Sequence, residues 1–337
     1  VLQRLRAAVP AVLLGLRALA PSLVSSGAAD LGETGAGGVP QVSARPAAVL
    51  PVAARPAGAR PVVARPVAMA LPRRLSWAPP ALTAPVSIAV GNSSATLALD
   101  NRRDYVLHLP AARPAVRPAG LVISGGHNVV LVGGSVDVAG GIRTWNGKVQ
   151  RRAMYLKGQT GTVFIEGVSF LSSTTGGLTE GINLDQRLGA TVVLQNIRLG
   201  RLVGSRATNH ADGLQTWAGP RRLLIDGLSM QTQYQGMFLL PNQHFKKGPA
   251  PELFDLRNIS IVGEPGSGYL LWRDRQDFPW RLENVNVRPG SRKLTARRLF
   301  LWDPLGTFAS VRAVDVVPPA ALSSGVAYRS PGYEGRL

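Results

Sequence analysis

The stretch ATNHADGLQTW, residues 207–217, holds a His-x-Asp pair, His210 and Asp212, directly before a glycine and an alternating segment that ends in Trp217. A carboxyl or an imidazole placed this way can pass a proton to or from a bound substrate, and an indole offers a flat face to a sugar ring. The same residues also suit a plain turn, in which Asp212 closes on its own backbone and His210 is solvated. The elements that carry the stretch decide between these two readings.

Those elements repeat. The segments TVFIEGVSF (162–170), TVVLQNIRL (191–199), RLLIDGLSM (222–230) and LFDLRNISI (253–261) share one frame, and NVVLVGGSV (128–136), WRLENVNV (280–287) and SVRAVDV (310–316) fit it more loosely. Each is an alternating apolar run, a Gly or Asn, and a second alternating pair. The hinge positions Gly133, Gly167, Asn196, Gly227, Asn258, Asn284 and Ala313 are spaced 34, 29, 31, 31, 26 and 29 residues apart. Gly and Asn tolerate the left-handed backbone best, so each hinge predicts a sharp bend between two short strands. Asn196, Asn258 and Asn284 are placed to stack their amides along one axis.

A further strand recurs in every unit: AMYLK (153–157), GINLD (181–185), GLQTW (213–217), GMFLL (236–240), GYLLW (268–272), RLFLW (298–302) and GVAYR (325–329). Three short strands per unit, a period near 30 and no helical pattern predict an all-β solenoid. A propeller blade needs about 40 residues for four antiparallel strands. With this bend and this coil length, residues 86–337 resemble the right-handed parallel β-helix of the pectate-lyase-like superfamily, and within it secreted bacterial β-helix proteins. The resemblance implies the fold and leaves the activity open.

The rest of the chain is read as an approach to that domain. Residues 1–25, with a basic start and an apolar middle, resemble a secretory signal peptide. Residues 26–85 are read as a low-complexity basic linker. ARP recurs there at 44, 54, 59 and 64, no acidic residue occurs between Glu33 and Asp100, and prolines block helix and sheet ladders. The expected location is outside the cell or on its surface.

Composition narrows the partner. The 337 residues carry a net charge of +19 and no cysteine, which removes disulfides and thiolate metal sites. Four histidines leave little for a multi-histidine metal site. A basic chain favours anionic partners, here an acidic polysaccharide or cell-surface glycan, although high Arg also follows from GC-rich coding. Nucleic acid has only the charge behind it, since no phosphate-binding glycine loop is present. No apolar run is long enough to span a bilayer.

Alternation assigns the faces of the recurring strand. Met154, Ile182, Leu214, Met237 and Tyr269 are placed inward in one row, and Leu156, Leu184, Thr216, Leu239 and Leu271 in the next. One outward row then holds Asn183, Gln215, Phe238 and Leu270. The other holds Lys157, Asp185, Trp217, Leu240, Trp272 and Trp302. Trp217, Trp272 and Trp302 would form a ribbon for sugar rings, with Asn183, Gln215, Asp185, Lys157 and Arg273 as polar contacts. So much outward apolar surface could equally be covered by a loop, the N-terminal segment or another subunit.

NHADGLQ is similar to the Asn-Thr-Asp-Gly motif of polygalacturonases, and Asp212 matches the motif's Asp. The resemblance implies a carboxylate cluster there. One coil on, where that family has paired Asp residues, this chain has Tyr234-Gln235. Glycoside hydrolysis needs an acid and a base or nucleophile. An eliminative lyase needs a base and a cation for the uronate carboxyl, and His210, Tyr234, Lys157, Arg187 and Arg273 are of the right type. No cofactor is required, although calcium could draw on Asp185, Asp212 and Glu180. The catalytic residues expected are Asp212, His210 and Asp185. The substrate-binding residues expected are Trp217, Trp272, Trp302, Gln215, Asn183, Arg273, Lys157 and Tyr234. The reading is an exported β-helix that binds, and in its enzymatic form cleaves, an acidic polysaccharide. The alternative is a non-catalytic surface or assembly module.

Overall fold

The computed structural model describes residues 74–144, 147–243, 248–273, 278–290, 301–302 and 311–313. The expected signal peptide, the linker up to residue 73 and the strand at 325–329 lie outside them. All regular structure among the described residues is strand, with no helix.

The chain passes back and forth between two parallel sheets. A long sheet of 12 strands runs from Val86–Ala89 through Thr191–Leu202, Arg222–Thr232 and Leu253–Gly263 to Val311–Ala313. An 8-stranded sheet takes the intervening segments, among them Arg152–Lys157, Glu180–Asp185, Asp212–Ala218, Gln235–Leu239 and Leu271–Arg273. Each strand pairs in parallel with the one a repeat further on, as Val192 with Leu223 and Leu223 with Phe254. A small antiparallel ribbon, Ile142–Arg143 with Val149–Gln150, stands apart.

Six of the seven expected hinges are as the repeat predicts, while Ala313 instead lies in a strand opposite Val287, three residues past the Asn284 bend. Gly133, Gly167, Asn196, Gly227, Asn258 and Asn284 all have positive φ, between 51° and 86°. Side-chain amides continue the backbone order. Asn284 Nδ2 donates to Asn258 Oδ1 at 2.8 Å, and Asn258 Nδ2 donates to Asp226 Oδ1 at 2.7 Å. Inward rows such as Ile165, Leu194, Ile225 and Leu256 are fully buried and join Met154, Ile182, Leu214 and Met237 in one core. Identical registers in successive repeats stack like on like, so one apolar row closes against the next.

Residues 74–85, the end of the segment that composition assigns to the linker, are packed against the domain. They lie on the outer face of the long sheet. Trp77 and Leu82 pack against Val130, Phe164, Val193 and Leu224, an outward apolar row that water would otherwise meet. Thr83 N–H donates to Asp104 Oδ2 at 2.7 Å. An apolar outward row gains by being covered, and this segment covers it.

Candidate functional site

The site is built on the outer face of the 8-stranded sheet, where strict alternation fails for a sequence reason. Gly181, Gly213 and Gly236 stand at equivalent positions of three successive strands. A Cβ on Gly181 would lie 1.9 Å from the Gly213 carbonyl oxygen, and one on Gly213 would lie 2.2 Å from Met230 Sδ. A Cβ at these positions would meet the neighbouring strand's backbone or the Met230 side chain, so only glycine fits there. In the flanking strands two consecutive residues are core: Ala153 with Met154, and Leu270 with Leu271. The row before the glycines is thereby brought to the same face as the row of Tyr155, and Arg152 shows it, its guanidinium lying 5.0 Å from the Tyr155 ring centre.

That preceding row is polar. Arg152 pairs with Glu180 and Asp212 with Gln235. Glu180 and Asp212 each lie two residues before the Ile182–Leu214 pair of these neighbouring strands. Arg152 Nε donates to Glu180 Oε2 at 2.7 Å, and Gln150 Nε2 donates to Glu180 Oε1 at 3.0 Å. The guanidinium also lies 5.1 Å from the Trp217 ring, which meets Tyr155 edge-on at 5.2 Å.

Asp212 has a different environment. It is almost wholly buried, and its Oδ1 accepts no hydrogen bond. Desolvation, and then the charge of Glu180, push its carboxyl well above the ordinary carboxylate range. Its backbone N–H donates to the His210 carbonyl at 3.1 Å. Tyr234, half-buried, has its hydroxyl pKa raised by desolvation and then by Asp212 and Tyr269. His210 is exposed and its ring is 5.1 Å from that of Tyr234.

A second cluster adjoins the first. Arg187 Nε and Nη2 donate to the two oxygens of buried Asp185 at 2.6 and 2.7 Å. Tyr155 Oη donates to Asp185 Oδ2 at 3.3 Å, and burial pushes its own pKa up to about 12, with Asp185 adding to the effect. Asn183 is fully buried. Its Nδ2 donates to Gln215 Oε1 at 3.3 Å, and its Oδ1 has no donor. Gln215 Oε1 also accepts the Trp217 indole N–H at 2.7 Å.

No family model, curated protein or solved structure matches the chain. The site therefore stands on its own geometry.

Asp212, His210, Tyr234, Asp185, Asn183, Gln215 and Trp217 fall on neighbouring repeats of this face. Lys157 is exposed at its end, paired with Asp185. The tryptophan ribbon is not formed as expected. The register slips between Leu184 and Asp185, so Asp185 faces Ala218 and Trp217 is left out of the pairing. Met237 pairs with Leu271, two residues beyond the expected Tyr269, which puts Trp272 opposite Phe238. Trp272 accordingly stacks on Phe238 at 4.2 Å and on Tyr269 at 4.8 Å, as a separate aromatic group. Trp302 follows Trp272 in register, and its side chain lies outside the described residues.

Arg273 is also displaced from its expected role. The same two-residue shift sets it opposite Leu239, turned inward and nearly fully buried. Its guanidinium lies 4.6 and 4.8 Å from the Phe278 and Trp280 rings and donates to the Phe278 carbonyl at 2.6 Å. Arg152, absent from the expected site, holds the position facing the acids. The signal was its place one repeat before Glu180, hidden because strict alternation would turn it inward. The three carboxylates proposed for calcium do not gather: Asp185 is held by Arg187 and Glu180 by Arg152, and no group of three possible ligands occurs among the described residues.

Proposed function

We propose that this chain is a right-handed parallel β-helix, exported from the cell, that binds an acidic polysaccharide along the outer face of its 8-stranded sheet and hydrolyses it at the Glu180–Asp212 pair. The observation that carries the reading is the contrast between two adjacent carboxyls. Asp212 is desolvated and favours its neutral acid form, while Glu180 is ion-paired to Arg152. A desolvated acid beside an ion-paired carboxylate suits an acid and a base or nucleophile. Asp212 would protonate the departing glycosidic oxygen as its bond to the anomeric carbon breaks. Water would attack that carbon and give its proton to Glu180. Tyr155, Trp217 and exposed Lys157 would contact the sugar and its carboxylates.

A non-catalytic glycan-binding or assembly module is the second reading. It is favoured by the near-complete burial of Asp212 and by Arg152 already occupying the space beside Trp217 and Tyr155. Incubation with a panel of uronate polymers separates them. Hydrolysis releases new reducing ends without unsaturated sugars, and Asp212→Asn abolishes the release. Unsaturated ends would replace hydrolysis by elimination. Binding without either product, weakened by Trp217→Ala, would support the module.

A further inference from the structure

The segment that covers the long sheet is held by a seat that reads an extended peptide. The Gln195 carboxamide bonds both backbone groups of Trp77: its Oε1 accepts the N–H and its Nε2 donates to the carbonyl, each at 2.9 Å. Asp226 Oδ2 accepts Ser76 N–H at 2.9 Å and Ser76 Oγ–H at 2.6 Å. The Trp77 indole enters the apolar row of Phe164, Val193 and Leu224, with the Arg257 guanidinium 5.0 Å from its ring. Gln195 and Asp226 are fully buried beneath it. These contacts span more than 100 residues of sequence, and none requires that seat and segment belong to one chain.

The link between this strap and the first strand is strained. Ala84 has φ of 42°, a left-handed conformation that a Cβ disfavours, and it directly precedes Pro85, which drives the preceding residue toward extended backbone. The turn itself is exposed, and Asp104 holds the residues on either side of it, accepting Thr83 N–H at its carboxylate and Val86 N–H at its carbonyl. Beyond it, Val86–Ala89 ends the long sheet, pairs among the described residues only with Tyr105–His108, and alternates half-buried with exposed residues. An edge strand of this kind invites a partner.

We propose that the strap exchanges between two copies of this chain. Residues 74–83 of one copy occupy the Gln195–Asp226 seat of the other, and reciprocally, with the two first-coil ends meeting. Extending Ala84 releases its left-handed turn in both chains, while every contact of the seat is kept. Exchange of an identical element is a low-cost route to a twofold dimer. The inference is independent of the glycan reading.

Sedimentation of the full-length chain over a range of concentrations tests it. The expected result is a concentration-dependent dimer. Ala84→Gly, which holds the turn without strain, weakens that dimer by about tenfold or more. Trp77→Ala abolishes it. Because the chain has no cysteine, a Ser76→Cys preparation mixed with an Asp226→Cys preparation should yield a mixed disulfide dimer. A monomer at every concentration overturns the proposal. So does a dimer unaffected by both Ala84→Gly and Trp77→Ala, or one that gives no mixed disulfide, since its interface then lies elsewhere.

Discussion

Glu180 and Asp212 sit two residues before one paired position of adjacent strands, yet among the described residues only Glu180 is paired with a cation. Arg152 reaches Glu180 at 2.7 Å, while Asp212 keeps a buried oxygen without a donor. A buried acid without partners costs stability in any pH range where the unfolded chain would ionise it.

The first prediction follows from that cost. The native pKa of Asp212 is raised, whereas in the unfolded chain it titrates near about 3.9. Above that pH the unfolded state loses the proton and the native state keeps it, so stability falls as pH rises toward the native pKa. Asp212→Asn has no proton to lose. It should melt above the wild type at neutral pH, with the gap closing as pH drops below about 4. Parallel melting curves from acid to neutral pH would contradict the raised pKa.

The Arg152–Glu180 pair gives a second. Both partners are largely shielded, with side-chain exposures of 12% and 19%. Arg152→Ala should destabilise by about 3 kcal/mol, because it strands the Glu180 charge. Adding Glu180→Gln should recover part of that loss. A double-mutant cycle in denaturant measures the coupling, and additive single effects would mean that the pair is not coupled.

A third concerns the hinges. Asn258 combines a φ of 51° with amide bonds to Asp226 and Asn284. Asn258→Ala loses both and should cost about 2–3 kcal/mol, from left-handed strain plus lost hydrogen bonds. Asn258→Gly keeps the backbone free and should cost about 1 kcal/mol less. Equal losses would show that the hydrogen bonds alone matter.

The core supplies the fourth. Leu194 and Ile225 are fully buried neighbours in one row. Leu194→Asp or Ile225→Asp should cost several kcal/mol, on the order of 4, by burying an unpaired charge. Repeats depend on their neighbours, so hydrogen exchange should rise in the adjoining strands too. Exchange confined to the mutated strand would contradict that dependence.

The all-β character, the period near 30 and the hinge positions were legible in the sequence, because each follows from local backbone chemistry. A bend such as Asn196 or Gly227 needs a residue that tolerates positive φ, and a half-buried strand needs alternation. Those demands are met within a few residues, so they leave a pattern that can be read. The face of Arg152, the slip that removes Trp217 from the tryptophan row and the inward turn of Arg273 were decided only in the folded chain. Each depends on how one strand registers against the next, where glycine crowding and a bulge outweigh strict alternation. The seat of Trp77 on Gln195 depends on residues more than 100 positions apart, and no local pattern marks it. The contrast between Glu180 and Asp212 is of the same kind: the sequence names both acids, and only burial and the reach of Arg152 make them different.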